Sequence, residues 1–190
     1  MGIKLTQEEK DLLIENKQYI IEGDWDGFFD GIEFFEISHI FQFCLECVPN
    51  LLYKITRLPN YAFYKSDIES INIPSNIKEI GDGAFEFCKN LKSITISNNV
   101  TEIGQWAFYD CKNLKTIKIP NSVTKIGNCM FYGCKNLTSI TIPDSVINVW
   151  SSAFNGCYSL NYISIPKHLK GRKFLKELPS YYHCRIEVRS

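Results

Sequence analysis

The chain has 190 residues, 45% of them hydrophobic and 22% charged, with 21 Lys plus Arg against 21 Asp plus Glu. That composition describes one folded domain with room for a small cap and excludes a disordered or fibrous chain. A net charge of zero supplies no field toward nucleic acid or an anionic membrane, and the apolar stretches, such as residues 37–48 with His39, Gln42 and Glu46 inside them, fall short of the roughly 20 residues that span a bilayer.

The opening residues 1–10 are polar and hold no apolar leader core, which predicts a cytoplasmic protein. Thr6-Gln7-Glu8-Glu9 reads as a capping box that opens an amphipathic helix running to about Ile21, with Gly23 as its stop. Leu12, Leu13, Tyr19 and Ile20 form the apolar side of that helix. Residues 24–36 then place Trp25, Phe28, Phe29, Ile32, Phe34 and Phe35 among acidic residues. Two readings stay open for this segment: a second cap helix whose aromatics close the array behind it, or an acidic, aromatic docking surface for a basic partner.

From there the chain repeats. Phe85, Phe108, Phe131 and Phe154 are 23 residues apart, and so are Cys88, Cys111, Cys134 and Cys157. Leu91, Leu114, Leu137 and Leu160 keep the same period, as do the pairs Ile94/Ile96, Ile117/Ile119, Ile140/Ile142 and Ile163/Ile165. Two weaker units precede these, one around Ala62-Phe63 and one from about residue 37, where Phe41-Gln42-Phe43-Cys44 echoes Phe85-Glu86-Phe87-Cys88. Each Leu-x-x-Ile-x-Ile segment alternates as a strand with its isoleucines on one face. The return half, Val-x-x-Ile-Gly-x-x-Ala-Phe, suits a short 3₁₀ or irregular turn better than a full helix. One such unit cannot bury its own apolar face, so the units must stack. At the far end, residues 170–176 are basic and residues 184–188 read as a last strand. The expected division is therefore a helical, aromatic-rich cap over 1–36, a solenoid over 37–169, and a C-terminal cap with a last strand over 170–190.

The string Ile-Gly-x-x-Ala-Phe-x-x-Cys-x-x-Leu-x-x-Ile-x-Ile-Pro-x-Ser-Val, carried almost throughout by residues 126–146, resembles the BspA-like (Treponema pallidum type) leucine-rich repeat. The resemblance covers about residues 58–169, with a degenerate form back to about 37. It implies an α/β solenoid: a short leucine-rich-repeat array of 22–23-residue repeats, with a parallel β-sheet on one face and a helical N-terminal cap. It also implies adhesion, host contact or other binding as the function.

Cys44-x-x-Cys47 has the spacing of a thiol redox or zinc motif. The repeat instead places Cys44 in the cysteine column and Cys47 in the leucine column, both facing the core, and no second Cys or His pair stands nearby. The four later cysteines form a ladder of small buried hydrophobes, and parallel stacked Cβ vectors disfavour disulfides. His39, His168 and His183 have no nucleophile or metal partner in sequence. Gly81, Gly104 and Gly127 belong to no phosphate loop and are expected where the turn needs a permissive backbone. No enzyme activity, cofactor or metal is expected.

Two surfaces remain. The outward strand positions run Ser70, Ser93, Thr116, Ser139, Tyr162 and, in the next row, Asn72, Thr95, Lys118, Thr141, Ser164. Such a hydroxyl-rich face can hydrogen-bond a protein or a glycan, and Ser and Thr are equally good exposed strand residues. Lys89, Lys112 and Lys135 form a column near Tyr109, Tyr132 and Tyr158, balanced by Glu79, Glu102 and Asp110. Trp106 and Trp150 break columns that hold small residues in neighbouring units, as a cap contact or an interface anchor would, and Trp106 is read as the interface anchor. The expected partner-binding set is Ser93, Thr95, Thr116, Lys118, Ser139, Thr141, Tyr162, Trp106, Tyr109 and Tyr132. It points to a non-enzymatic protein-binding module, an adaptor or a stoichiometric inhibitor. The abundance of Ile, Asn and Lys suggests an AT-rich source, and an inhibitor carried by a mobile element or phage is the narrower form of this reading. The alternatives are a carbohydrate-binding or surface-adhesion module and a nucleic-acid binder using the lysine column.

Overall fold

The computed structural model of the chain describes residues 6–15, 34–47, 50–178 and 183–190. Helix α1 (Gln7–Glu15) opens as the sequence expects: the Glu9 amide donates to Thr6 Oγ1 at 3.2 Å, and the Thr6 amide donates back to Glu9 Oε2 at 2.7 Å. That reciprocal pair satisfies two donors that a helix start leaves without partners. Leu12 and Leu13 pack against the core from this helix. Its expected continuation to Ile21 and Gly23, and the aromatic stretch over 24–33, lie outside the described residues.

Helix α2 (Phe34–Cys47) is a correction. The degenerate unit expected from residue 37 is not a repeat turn. Residues 34–47 hold no Gly or Pro to make a turn, and the buried Ile40, Phe41 and Cys44 recur at helical spacing. The likeness to later units is nonetheless physical, because Phe41 meets the first phenylalanine of the array edge-on, 5.4 Å from the Phe63 centroid. Polar contacts fix the docking: Ser38 Oγ donates to the Tyr64 carbonyl at 3.1 Å, and the largely buried Ser66 donates to Gln42 Oε1 at 3.1 Å.

The strands, numbered along the chain, form two parallel rows. The narrow row holds β1 (Arg57–Leu58), β3 (Glu79–Ile80), β5 (Glu102–Ile103), β7 (Lys125–Ile126) and β9 (Asn148–Val149). The broad row holds β2 (Ser70–Ile73), β4 (Ser93–Ile96), β6 (Thr116–Lys118), β8 (Ser139–Thr141), β10 (Tyr162–Pro166) and β11 (Arg185–Arg189). The register is that of the repeat: Ile71 lies beside Ile94, Ile117 beside Ile140, and Ile140 beside Ile163. The strand expected at 184–188 is β11, paired parallel to β10 with Ile186 beside Ile163. The return halves are turns, and they too bond along the stack. The Phe85 amide donates to the Ala107 carbonyl at 2.8 Å, and the Phe108 amide to the Met130 carbonyl at 3.0 Å.

The core is a set of columns. Phe63, Phe85, Phe108, Phe131 and Phe154 stack face to face with centroids 5.1–5.6 Å apart and planes within 6° of parallel. Both ends of this column close with a ring at another angle, Phe41 perpendicular to Phe63 and Phe174 tilted 42° from Phe154. Phe174 comes from the short helix α3 (Lys173–Lys176). A terminal ring turned across the stack shields the last apolar face, which an open solenoid would expose to water. No helix among the described residues is long and apolar enough to cross a membrane.

Candidate functional sites on the sheet face and the turn edge

The broad row presents one face to solvent. In β4 the burial alternates, with Ser93 and Thr95 exposed and Ile94 and Ile96 buried. Thr116, Lys118 and Thr141 are exposed likewise, and Ser139 is half-buried. Thr116, Lys118, Ser139 and Thr141 share one shallow hollow of about 450 Å³ with Asp144 and Arg189. Tyr162, expected on the open face, is tied down: its hydroxyl donates to the Glu187 carboxylate, which also accepts from Ser164 Oγ at 2.9 Å. These two hydrogen bonds, Tyr162 first, hold the Glu187 carboxyl below its ordinary value.

Arg189 is the residue sequence reasoning missed here. Its guanidinium donates to Ser164 Oγ at 2.9 Å and to Asp144 Oδ1 at 2.6 Å, reaching back from β11 across β10. The alternation Arg-Ile-Glu-Val-Arg at the chain end was visible. Its register, which sets Arg189 beside Pro166, was not.

The lysine column is broken. Lys112 pairs with Asp110 at 3.2 Å, between the exposed Lys89 and Lys135.

A second surface lies on the turn edge, two residues before Phe63, Phe85, Phe108 and Phe131. Tyr61, Gly83, Trp106 and Cys129 all have left-handed backbone there, with φ of 58°, 58°, 55° and 50°. Glycine takes that conformation freely, whereas a residue with a Cβ is disfavoured by roughly 1–2 kcal/mol. Phe87, at φ 59°, occupies a second left-handed position two residues after Phe85. Bulky aromatics at three such places are local outliers, and outliers of this kind gather at binding sites.

Tyr61, Tyr64, Glu86, Trp106 and Tyr109 together line an open hollow of about 350 Å³. The structure thus joins the expected Trp106 and Tyr109 to three residues that sequence reasoning passed over. Tyr132 joins the group from outside by stacking on Tyr109, 4.9 Å away and 4° from parallel. Burial, the first cause, and the neighbouring Glu86 raise the Tyr61 phenol, and burial raises the Glu86 carboxyl against the lowering influence of Lys65. This hollow and the sheet-face hollow share no residue.

Gly81, Gly104 and Gly127 are not among the positive-φ residues, so the permissive-backbone expectation fails; at Gly81 and Gly104 the reason is steric, whereas a Cβ on Gly127 would meet its nearest neighbour at 3.5 Å. A Cβ on Gly104 would lie 2.5 Å from the Asp82 backbone nitrogen of the turn below. Those glycines floor a groove of about 300 Å³ that also includes Trp150.

The cysteine ladder is interior. Cys88, Cys111, Cys134 and Cys157 donate to the carbonyls of Phe63, Phe85, Phe108 and Phe131, at 2.8, 3.1, 3.1 and 3.0 Å. Burial pushes the Cys88 and Cys157 thiols up to about 12 and the other two well above their ordinary value. Such thiols stay protonated and unreactive. Cys44 is buried in α2, and the Cys47 side chain lies outside the described residues. His168 Nε2 is 2.8 Å from the Val146 carbonyl. Among the described residues no group of three or more His, Cys, Asp or Glu is placed to hold a metal ion.

The model of the BspA type leucine-rich-repeat region matches residues 56–175 in six copies. The chain belongs to the BspA type leucine-rich-repeat family. Solved structures agree: a leucine-rich repeat protein from Bacteroides ovatus is 25% identical with a TM-score of 0.60 over 75% of this chain and 41% of its own. A leucine rich cell surface protein from Faecalibacterium prausnitzii is 28% identical with a TM-score of 0.59, over 65% of this chain and 32% of its own. The T. pallidum leucine-rich repeat protein is 26% identical with a TM-score of 0.58, over 70% of this chain and 62% of its own. The chain thus spans between a third and three fifths of the lengths of these relatives. No curated sequence matches it. Repeat proteins of this family serve as protein-binding or surface modules on non-enzymatic folds.

Proposed function

We propose that this chain is a non-enzymatic protein-binding module, an adaptor or stoichiometric inhibitor acting in the cytoplasm, that engages its partner through the outer face of the broad sheet. The observation that carries this reading is the row of outward positions: Thr116 beside Ser139 and Lys118 beside Thr141 in register on β6 and β8, with Ser93 and Thr95 on the neighbouring β4. A rigid face loses little entropy when a partner docks, and hydroxyls in fixed rows donate and accept without a strong charge of either sign. The Lys112–Asp110 pair weighs against nucleic acid, since a phosphate would have to displace the aspartate. A surface-adhesion role is the second reading, favoured by the likeness to the F. prausnitzii protein described as a leucine rich cell surface protein.

The test is a tagged pull-down from source-organism lysate, with Thr95→Glu, Thr116→Glu and Thr141→Glu combined as the control. All three positions are exposed, so the fold should survive, and a protein held by the wild type should be lost by the control. Retention by both would move the interface off the sheet, and capture by neither would turn the search to extracellular ligands.

A further inference from the structure

The turn-edge hollow has a chemistry that the sheet face lacks. Four of its five lining residues are aromatic, and the fifth is the carboxylate of Glu86. Gly83 makes the room. A Cβ at that position would stand 2.3 Å from the Tyr61 ring and 2.9 Å from Glu86 Oε2, so the ring and the carboxylate converge over a residue that has nothing to place between them.

The walls are braced. Tyr61 and Tyr64 stand 87° apart, which gives two ring planes at a corner. Phe87 contacts both Tyr64 and Tyr109 at steep angles, with centroids 5.7 and 5.4 Å away, and Tyr132 stacks behind Tyr109. Three of the aromatics in and behind these walls, Tyr61, Phe87 and Trp106, keep the left-handed backbone that glycine alone adopts freely.

Aromatic faces carry negative quadrupole potential, and a partly desolvated carboxylate beside them seeks positive charge. The molecule already shows the favoured interaction, for the Lys65 ammonium sits 4.8 Å from the Tyr64 centroid without lining the hollow. We propose that Tyr61, Tyr64, Trp106 and Tyr109, with Glu86, form a cage for an alkylated ammonium group. The four rings supply cation–π attraction, Glu86 supplies the counter-charge, and Gly83 lets the Tyr61 ring and the Glu86 carboxylate come together. This site is independent of the sheet face.

The test is an NMR titration of the full-length protein with choline and with trimethyl-lysine, which carry the same head on different bodies, followed at the Trp106 indole. Dimethylbutanol, the uncharged carbon isostere of choline, is the control for shape. Saturable shifts are expected with at least one ammonium, and the stronger of the two names the source of the ligand. Affinity for dimethylbutanol should be weaker by about tenfold. Glu86→Gln should weaken the ammonium by a similar factor, and Trp106→Gly, which suits the local backbone, should remove binding, read from the Ala107 and Tyr109 amides. Equal binding of the neutral isostere, binding that survives both substitutions, or no saturable shift with either ammonium would overturn the proposal. Loss of partner capture by the threonine variants leaves this titration unchanged, so the two readings fail separately.

Discussion

The phenylalanine column and the column two residues before it run side by side through the same turns, and they obey opposite rules. Phe63, Phe85, Phe108 and Phe131 are the same residue in the same packing, each with 2% or less of its surface exposed. The neighbouring column reads Tyr61, Gly83, Trp106 and Cys129 on one shared backbone conformation. An interior position meets the same neighbours above and below, so one solution serves every turn. A turn-edge position meets water on one side and is free to differ. Variation at constant backbone shape is what a binding surface on a repeat scaffold requires.

The largest effect separating the two columns should come from Phe108→Ala at the middle of the stack. Removing a ring packed on both faces should lower stability by about 3–5 kcal/mol, measured as a shift in the urea midpoint. A loss below about 1 kcal/mol would mean that the turns do not depend on continuous stacking.

The interior thiols offer a second contrast, in pH. Their folded values lie above the ordinary thiol value of 9.0, at about 12 for Cys88 and Cys157. The folded state therefore holds its protons where the unfolded chain has released them. The stabilisation is complete below about pH 9 and falls as pH rises toward 12, by up to about 1.4 kcal/mol per pH unit for each thiol. Urea unfolding at successive alkaline pH values should show that decline, and Cys111→Ala should make it shallower. An unchanged slope in that variant would remove the thiol ladder as its cause.

The smallest effect belongs to the variable column and has the opposite sign. Trp106→Gly relieves a left-handed φ, and the half-buried ring gives up less packing than an interior one. The net change in melting temperature should be close to zero or slightly positive, within about 1 kcal/mol in free energy. A destabilisation like that of Phe108→Ala would make Trp106 a core residue and undo the distinction.

Much of this architecture is legible in the sequence alone. Columns of Phe, Cys, Leu and Ile at one period leave a single economical arrangement, and the parallel register Ile94 beside Ile71 is that period read sideways. The capping box at Thr6 and Glu9 was equally plain, because capping is local chemistry. The first unit was not: Phe-x-Phe-Cys satisfies both a repeat turn and a helical stripe, and the helix prevails where turn residues are missing. The reason for Gly104 was also out of reach, since the atom it avoids belongs to Asp82, a full turn away in sequence.

By itself, then, the sequence determined what repeats: the solenoid, its strand register and the identity of its core, because every turn solves the same burial problem with the same residues. Tertiary structure decided what does not repeat. It turned residues 34–47 into a helix that ends the phenylalanine stack, drew Arg189 back to Asp144, and gathered Tyr61, Glu86 and Trp106 around Gly83. Those outcomes depend on contacts between turns and at the ends of the stack, where periodicity no longer dictates the neighbour.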